Sequence, residues 1–166
     1  DSLASRIVTR TDIESQNVII NLLSPAISKY DLGLLTEEHT DNGSRFDKDY
    51  FWCIDPLDGT LPFSEGKSGY AVSIALVAND GSPLLGVVFD PCNNTLYQAI
   101  KGQGTLRNGS SFKVQQSPDS NIHVFNDRFF MKNPKYKEVM DNLEQQIEKN
   151  GYGEIRYERM LGAVIN

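Results

Sequence analysis

Between residues 70 and 114 one pattern recurs: a short run of apolar or alternating residues, then a tight turn. Tyr70, Val72, Ile74 and Leu76 alternate with the smaller Ala71, Ser73 and Ala75, and Asp80-Gly81 turns the chain into Leu84 to Phe89. Asp90-Pro91-Cys92-Asn93-Asn94 then leads into Thr95 to Ile100, Gly102-Gln103-Gly104 breaks the chain, and Asn108-Gly109 joins Thr105–Arg107 to Ser111–Val114. Strands joined by turns this short pair antiparallel, because a parallel neighbour needs a crossover of about a dozen residues or more. The fold class this predicts is α+β, an antiparallel β-sheet flanked by helices.

The flanks carry the helical signals. Thr11-Asp12-Ile13-Glu14 offers a capping-box start to a helix bearing Val18, Ile19, Leu22 and Leu23, which Pro25 is predicted to kink or end. Leu34-Leu35, after Gly33, reads as a short buried strand, and Asp41 to Lys48 as a surface loop. Later, Asn133-Pro134 reads as an N-cap and first helical residue. Tyr136, Val139, Met140, Leu143 and Ile147 then form a stripe that reads as core packing, and Asn150-Gly151 closes the helix. No repeat, low-complexity stretch or Pro/Gly/Ser linker divides the chain, so residues 1–166 read as one domain. With 39% hydrophobic and 10% aromatic residues, it has the means to bury a core.

Charge narrows the partners. The net charge is −6 and no basic stripe is present, which argues against a nucleic acid polymer held by its backbone and for recruitment of cations. No apolar stretch approaches the roughly 20 residues of a membrane helix, and no secretory signal precedes the first helical pattern, so no membrane partner is expected. Cys53 and Cys92 lack metal-type spacing and read as buried free thiols of a reducing compartment. His39 and His123 have no spaced Cys or His partner for zinc. Gly102-x-Gly104 lacks the setting of a dinucleotide fingerprint, and Ser110-Ser111 lacks that of a nucleophile elbow.

Trp52-Cys-Ile-Asp-Pro-Leu-Asp-Gly-Thr60 is the segment richest in chemistry. It sets Asp55 and Asp58 three apart on a turn behind an apolar run. Upstream lie Glu37 and Glu38, and four carboxylates converge if the Tyr50–Ile54 strand runs beside the end of Gly33–Thr36. Carboxylates packed closely repel and partly protonate unless a multivalent ion neutralises them, and oxygen-only ligation favours Mg²⁺ or Mn²⁺ over zinc. Read alone, Asp-Pro-x-Asp-Gly is also ordinary turn chemistry, Asp12 a helix-start charge and Thr60 a helix cap.

Joined in order, these blocks resemble the inositol monophosphatase superfamily, the Mg²⁺-dependent, lithium-sensitive phosphomonoesterases. Val8-Thr9-Arg10-Thr11-Asp12 is similar to the family's Val-Thr-x-x-Asp; Leu35-Thr36-Glu37-Glu38 and Trp52–Thr60 follow; Tyr70–Ala75, Gly86–Pro91, Lys101–Gly104 and Asn108-Gly109 resemble its central sheet. The similarity covers roughly residues 8–115 and weakens beyond Gln116. It implies the amino-terminal domain of the sugar-phosphatase fold, with a carboxy-terminal α/β half missing: the family's Trp-Asp-x-Ala-Ala-Gly motif, which brings a further metal ligand, is absent, and only seven residues precede the first block.

The resemblance further implies the roles. Glu37, Asp55, the Leu57 carbonyl and Asp58 would hold two or three Mg²⁺ ions, with Mn²⁺ as an alternative and Li⁺ as an inhibitor. Pro56, lacking an N–H, makes a rigid turn from which a carbonyl can face an ion. Asp12 and Thr60 would activate the attacking water, Glu38 would orient a ligand or that water, and Gly59 and Thr60 would cradle phosphate at a helix start. The implied reaction is metal-dependent hydrolysis of a small phosphate monoester of the inositol phosphate kind. Two alternatives stand beside it: a 3′(2′),5′-bisphosphate nucleotidase acting on 3′-phosphoadenosine 5′-phosphate, and an inactive regulatory or interaction domain that keeps the fold. A homodimer is the family's frequent assembly, and the cytoplasm is the expected compartment, with an organelle as the alternative because the amino terminus reads as incomplete.

Overall fold

The hairpin series folds as its turns require. In a computed structural model that describes residues 8–114, 122–126, 134–151 and 155–159, seven strands form one sheet in sequential order. They are β1 (Gly33–Thr36), β2 (Tyr50–Asp58), β3 (Ala71–Ala78), β4 (Pro83–Asp90), β5 (Thr95–Ile100), β6 (Gly104–Arg107) and β7 (Ser110–Phe112). Every neighbouring pair from β2 to β7 is antiparallel. Asn108 and Gly109 both take positive φ, 48° and 79°, the mirror-image turn whose twist suits a two-residue hairpin. The exception is β1, which runs parallel to β2 with Thr36 opposite Ile54. Its crossover contains α2 (Ser44–Asp47), one helical turn inside the segment expected as a plain loop. Gly33 permits that turn to pack, since a Cβ there would lie 2.8 Å from the Arg45 Cα.

Helix α1 spans Arg10–Tyr30 and differs from expectation at its start and at Pro25. The cap is Thr9 rather than Thr11: the Thr9 N–H donates to Asp12 Oδ2 at 2.8 Å and the Thr9 hydroxyl donates to the same oxygen. Pro25 lies inside the helix without ending it. Proline withholds the N–H that would reach the Asn21 carbonyl, and the Ser24 hydroxyl donates to that carbonyl at 2.9 Å instead. The helix stops at Asp31, in the left-handed region at φ 54°, where the Leu32 N–H closes back on the Ile27 carbonyl.

Strand β2 carries the local irregularity that positions the site. Its pairing with β3 steps from Asp55 opposite Ser73 to Asp58 opposite Ala71, so three steps on β2 match two on β3. The extra residue falls at Pro56-Leu57, where proline has no N–H for the ladder and a bulge bends the strand. Helix α3 (Thr60–Ser64) starts directly after it, with Gly59 at φ 88°. Around this bend lie the buried Ile54, Pro56, Leu57 and Ala71.

The chain clusters into two compact units, the first running to Lys113 and the second starting at Val114. In the second, β8 (Ile122–Asn126) and β9 (Ile155–Arg159) pair in parallel, with α4 (Pro134–Lys149) between them in sequence. The expected N-cap, Asn133, lies outside the described residues. The stripe expected to pack as core is mostly open: Ile147 is buried, while Tyr136, Val139 and Leu143 are exposed. The thiols also part ways, Cys53 being half-buried and Cys92 exposed, so the expectation of two buried cysteines holds only for the first in part.

Gly59→Ala tests the bend. A Cβ there would meet the Gly69 carbonyl oxygen at 2.4 Å while the backbone sits at φ 88°. Thermal unfolding should show a loss of about 2–3 kcal/mol, and a variant as stable as the parent would show that the bend relaxes freely.

Candidate functional site

Three elements meet at the bulge: the start of α1, the residues following β1, and the β2–α3 junction. Parallel pairing of β1 with β2 continues one step past the strand, where the Glu37 N–H donates to the Ile54 carbonyl at 3.2 Å. That places the Glu37 side chain beside Asp55, and the two carboxyl groups are hydrogen-bonded to each other. Burial, followed by the charge of Glu37 and this hydrogen bond, pushes Asp55 up to about 7, against the Leu57 N–H, which donates to Asp55 Oδ1 at 3.1 Å. Glu38 is also raised, by burial first and then by the nearby charges of Asp12 and Asp55. Near neutral pH this group of carboxyls therefore keeps a proton unless a cation takes its place.

Asp12 is fully buried at the first turn of α1. One oxygen is occupied by Thr9; the other, Oδ1, accepts from the Thr60 hydroxyl at 3.1 Å. Thr60 has a second acceptor within reach, the Leu57 carbonyl at 3.3 Å. The hydroxyl owns one proton, and the shorter contact to a carboxylate is the stronger, which leaves the Leu57 carbonyl oxygen available.

The structure thus joins Glu37 to Asp55 and Asp12 to Thr60, 48 residues apart in sequence. It sets Leu57 in the bulge and Asp58 at the end of β2. Glu38 follows Glu37 and is half-buried. Gly59 and Thr60 open α3 as expected, but that helix has five residues, so any anion there would meet local N–H groups and little macrodipole. Among the described residues, no three His, Cys, Asp or Glu side chains stand together as a cation-holding group. The donor set is nonetheless all oxygen, and the raised, proton-sharing pair has the chemistry a hard divalent cation would relieve. His39 and His123 are exposed.

Two residues of α1 escaped sequence reasoning. The Ser15 hydroxyl donates to the Pro56 carbonyl at 3.0 Å, and Gln16 Oε1 accepts from the Glu38 N–H at 3.3 Å. A signal was present in their spacing, three and four residues after Asp12 and so on its face of the helix.

Comparison with known proteins bears on this arrangement. The family model described as "Inositol monophosphatase family" matches residues 2–163. A protein named Nus factor SuhB, from Xylella fastidiosa, is 37% identical over 127 residues, 75% of this chain and 44% of its own length. Among solved structures, the extragenic suppressor protein suhB of Bartonella henselae is 28% identical, with a TM-score of 0.69 over 94% of this chain and 57% of that one. A dual specific IMPase/NADP phosphatase bound with D-inositol-1-phosphate is 25% identical, at TM-score 0.67 over 94% of this chain and 56% of that one. A calcium-bound IMPase family protein from Staphylococcus aureus is also 25% identical, at TM-score 0.66 over 95% of this chain and 54% of that one. The chain spans about half the length of the curated relatives it matches. The name Nus factor agrees poorly with excluding nucleic acid on charge alone. No described helix is long and apolar enough to cross a membrane.

A pH test follows from the raised Asp55. Its folded-state pKa, about 7, lies above the unfolded value of 3.8, so the cation-free protein loses stability as pH climbs from about 4 to about 7. Asp55→Asn removes that slope. In chelator, the stability of the variant relative to the parent should rise by about 1 kcal/mol between pH 5 and pH 8, discounted for the partial exposure of the carboxyl. A difference that does not change with pH would mean that the Asp55 carboxyl is not raised in the folded protein.

Proposed function

The chain belongs to the inositol monophosphatase family, and on that premise we propose that it carries the cation site and the water-activating pair of a phosphomonoesterase. The substrate class is a small phosphate monoester, an inositol phosphate first and a 3′(2′),5′-bisphosphate nucleotide second. The single observation that carries the reading is the hydrogen bond from Thr60 to the buried Asp12, next to the Glu37–Asp55 pair. A helix start, a strand end and a bulge, distant in sequence, have no packing reason to set Asp55 beside Glu37 and within reach of the charge of Asp12.

Glu37, Asp55, the Leu57 carbonyl and Asp58 would hold Mg²⁺ or Mn²⁺, and the number of ions, like inhibition by Li⁺, belongs to the same proposal. A divalent cation there would supply positive charge against the phosphoryl oxygens and make water a better nucleophile at neutral pH. The chain's own part is orientation. Asp12, immobilised by Thr9, accepts a hydrogen bond from the Thr60 hydroxyl and so turns the threonine lone pairs outward to accept a hydrogen bond from the attacking water. Water aligned this way would attack phosphorus directly as the P–O bond to the alcohol breaks, the alcohol leaving with the proton that the water gives up, so that no side chain is phosphorylated. Gly59, with no Cβ, lets phosphate approach the backbone N–H groups at the start of α3. Glu38 steadies the acidic segment or the water.

The test is phosphate release by the full chain with Mg²⁺, across inositol monophosphates, NADP and 3′-phosphoadenosine 5′-phosphate. Thr60→Ala should lower kcat about 10²–10³-fold with KM little changed, and Thr60→Ser should restore most of it. A loss confined to Mg²⁺ affinity would contradict the orienting role. Absence of release by the parent chain on every substrate would favour either a site that half the relatives' length does not complete or a fold kept without catalysis, a reading that the relatives' name, Nus factor, keeps in play.

A further inference from the structure

One face of α1 ties together every segment that bears on the site. Asp12, Ser15 and Gln16 lie within one turn of each other, and each bonds a different partner: Thr60 Oγ1 at 3.1 Å, the Pro56 carbonyl at 3.0 Å and the Glu38 N–H at 3.3 Å. The inward face of the helix carries Ile19, Ile20, Leu23 and Ile27 along most of its length, but its first turns place polar side chains there. Its fully buried residues are Asp12 and Gln16, both at 0% exposure, while Val18 and Leu22 face out at 60% and 75%. Gln16 is odd in a second way: Nε2 of its amide is buried with no partner among the described residues. A side chain serving only to fill space would be apolar, because a buried unpaired donor weakens the fold. The other end of the amide explains its presence. With the Glu37 N–H on the Ile54 carbonyl at 3.2 Å and the Glu38 N–H on Gln16, two successive peptide groups are pinned between β2 and α1.

We propose that Gln16, with Ser15 as a second tether, is a positioning residue: it sets the Glu37–Glu38 segment and the Pro56 turn at a fixed separation from Asp12, and so presets the Glu37–Asp55 carboxylate pair for a divalent cation. Gln16 does this through the Glu38 main chain and does not touch the ion. The inference rests on the cation-site reading above. Its test needs no catalysis.

The whole chain is titrated with Mn²⁺ alone, followed by electron paramagnetic resonance, and exchange of the Glu38 amide hydrogen is followed by NMR. Gln16→Met keeps length and loses the acceptor, whereas Gln16→Glu keeps the acceptor. In Gln16→Met, Mn²⁺ should bind roughly tenfold more weakly and the Glu38 amide should exchange faster, with the melting temperature almost unchanged. Gln16→Glu should hold Mn²⁺ at least as tightly as the parent and keep that amide slow. Parent-like Mn²⁺ affinity in Gln16→Met, or equal weakness in Gln16→Glu, overturns the assignment. Should Gln16→Met fail to fold, Ser15→Ala tests the same clamp, and an unaltered Mn²⁺ affinity there counts against it. A parent chain that takes up no Mn²⁺ removes the cation site itself, an outcome separate from failure of the variants alone.

Discussion

Everything at the site depends on β1 running parallel to β2. With Thr36 opposite Ile54 and the Glu37 N–H on the Ile54 carbonyl, the residue after β1 arrives beside the residue that precedes the Asp-Pro bulge. A one-residue slip would turn Glu37 to the other face of the sheet. The contact it enforces is repulsive: two carboxyls, one raised to about 7 by burial and by the other. Strained carboxyl pairs of this kind concentrate at functional sites. The pairing and the chemistry are therefore one feature, because the register that defines the edge of the sheet also gathers the acid.

The antiparallel part of the sheet was legible because its information is local. Asp80-Gly81 and Asn108-Gly109 state their turns in two residues, and strand alternation between them leaves no other pairing. The Asp-Pro-Leu-Asp segment was legible for the same reason, and the structure turns its proline into a bulge. What escaped was decided at a distance or by a competing bond. Pro25 reads as a stop, yet the Ser24 hydroxyl takes over the carbonyl that proline leaves unpaired, and α1 continues. Thr11 and Thr9 both precede an acidic residue by a few positions, and only the contact of Asp12 with Thr9 chooses between them. No linker signal marks the boundary near Lys113, because the break between compact units is one of contacts and not of composition. The parallel pair of β8 and β9, 33 residues apart at Ile122 and Ile155, leaves no trace in local periodicity.

The candidate site divides along the same line. Asp12, Glu37, Asp55 and Thr60 could be named from their blocks because each block is a short, chemically distinctive word. Ser15 and Gln16 could not, since a serine and a glutamine inside a helix look like solvent-facing residues. Only the burial of Gln16 and its bond to the Glu38 N–H reveal which way that face points. Apolar residues mislead in the opposite sense, as Val18 and Leu22 occupy positions that periodicity assigns to a core and stand exposed.

The shortness of α3 bears on how phosphate would be stabilised. A five-residue helix offers few free N–H groups and a dipole too short to sum to an appreciable terminal charge. Field from the backbone is then a minor source of positive potential, and the carboxylates around it are a strong source of the opposite sign. An anionic substrate beside Glu37, Asp55 and Asp12 would need positive charge to offset theirs. On the proposed reading a cation would serve substrate binding as well as the chemical step, and phosphate and divalent ion would each tighten the hold of the other. Gly59 contributes shape to this arrangement: where a Cβ would strike the Gly69 carbonyl, the bare backbone turns from strand to helix within one residue.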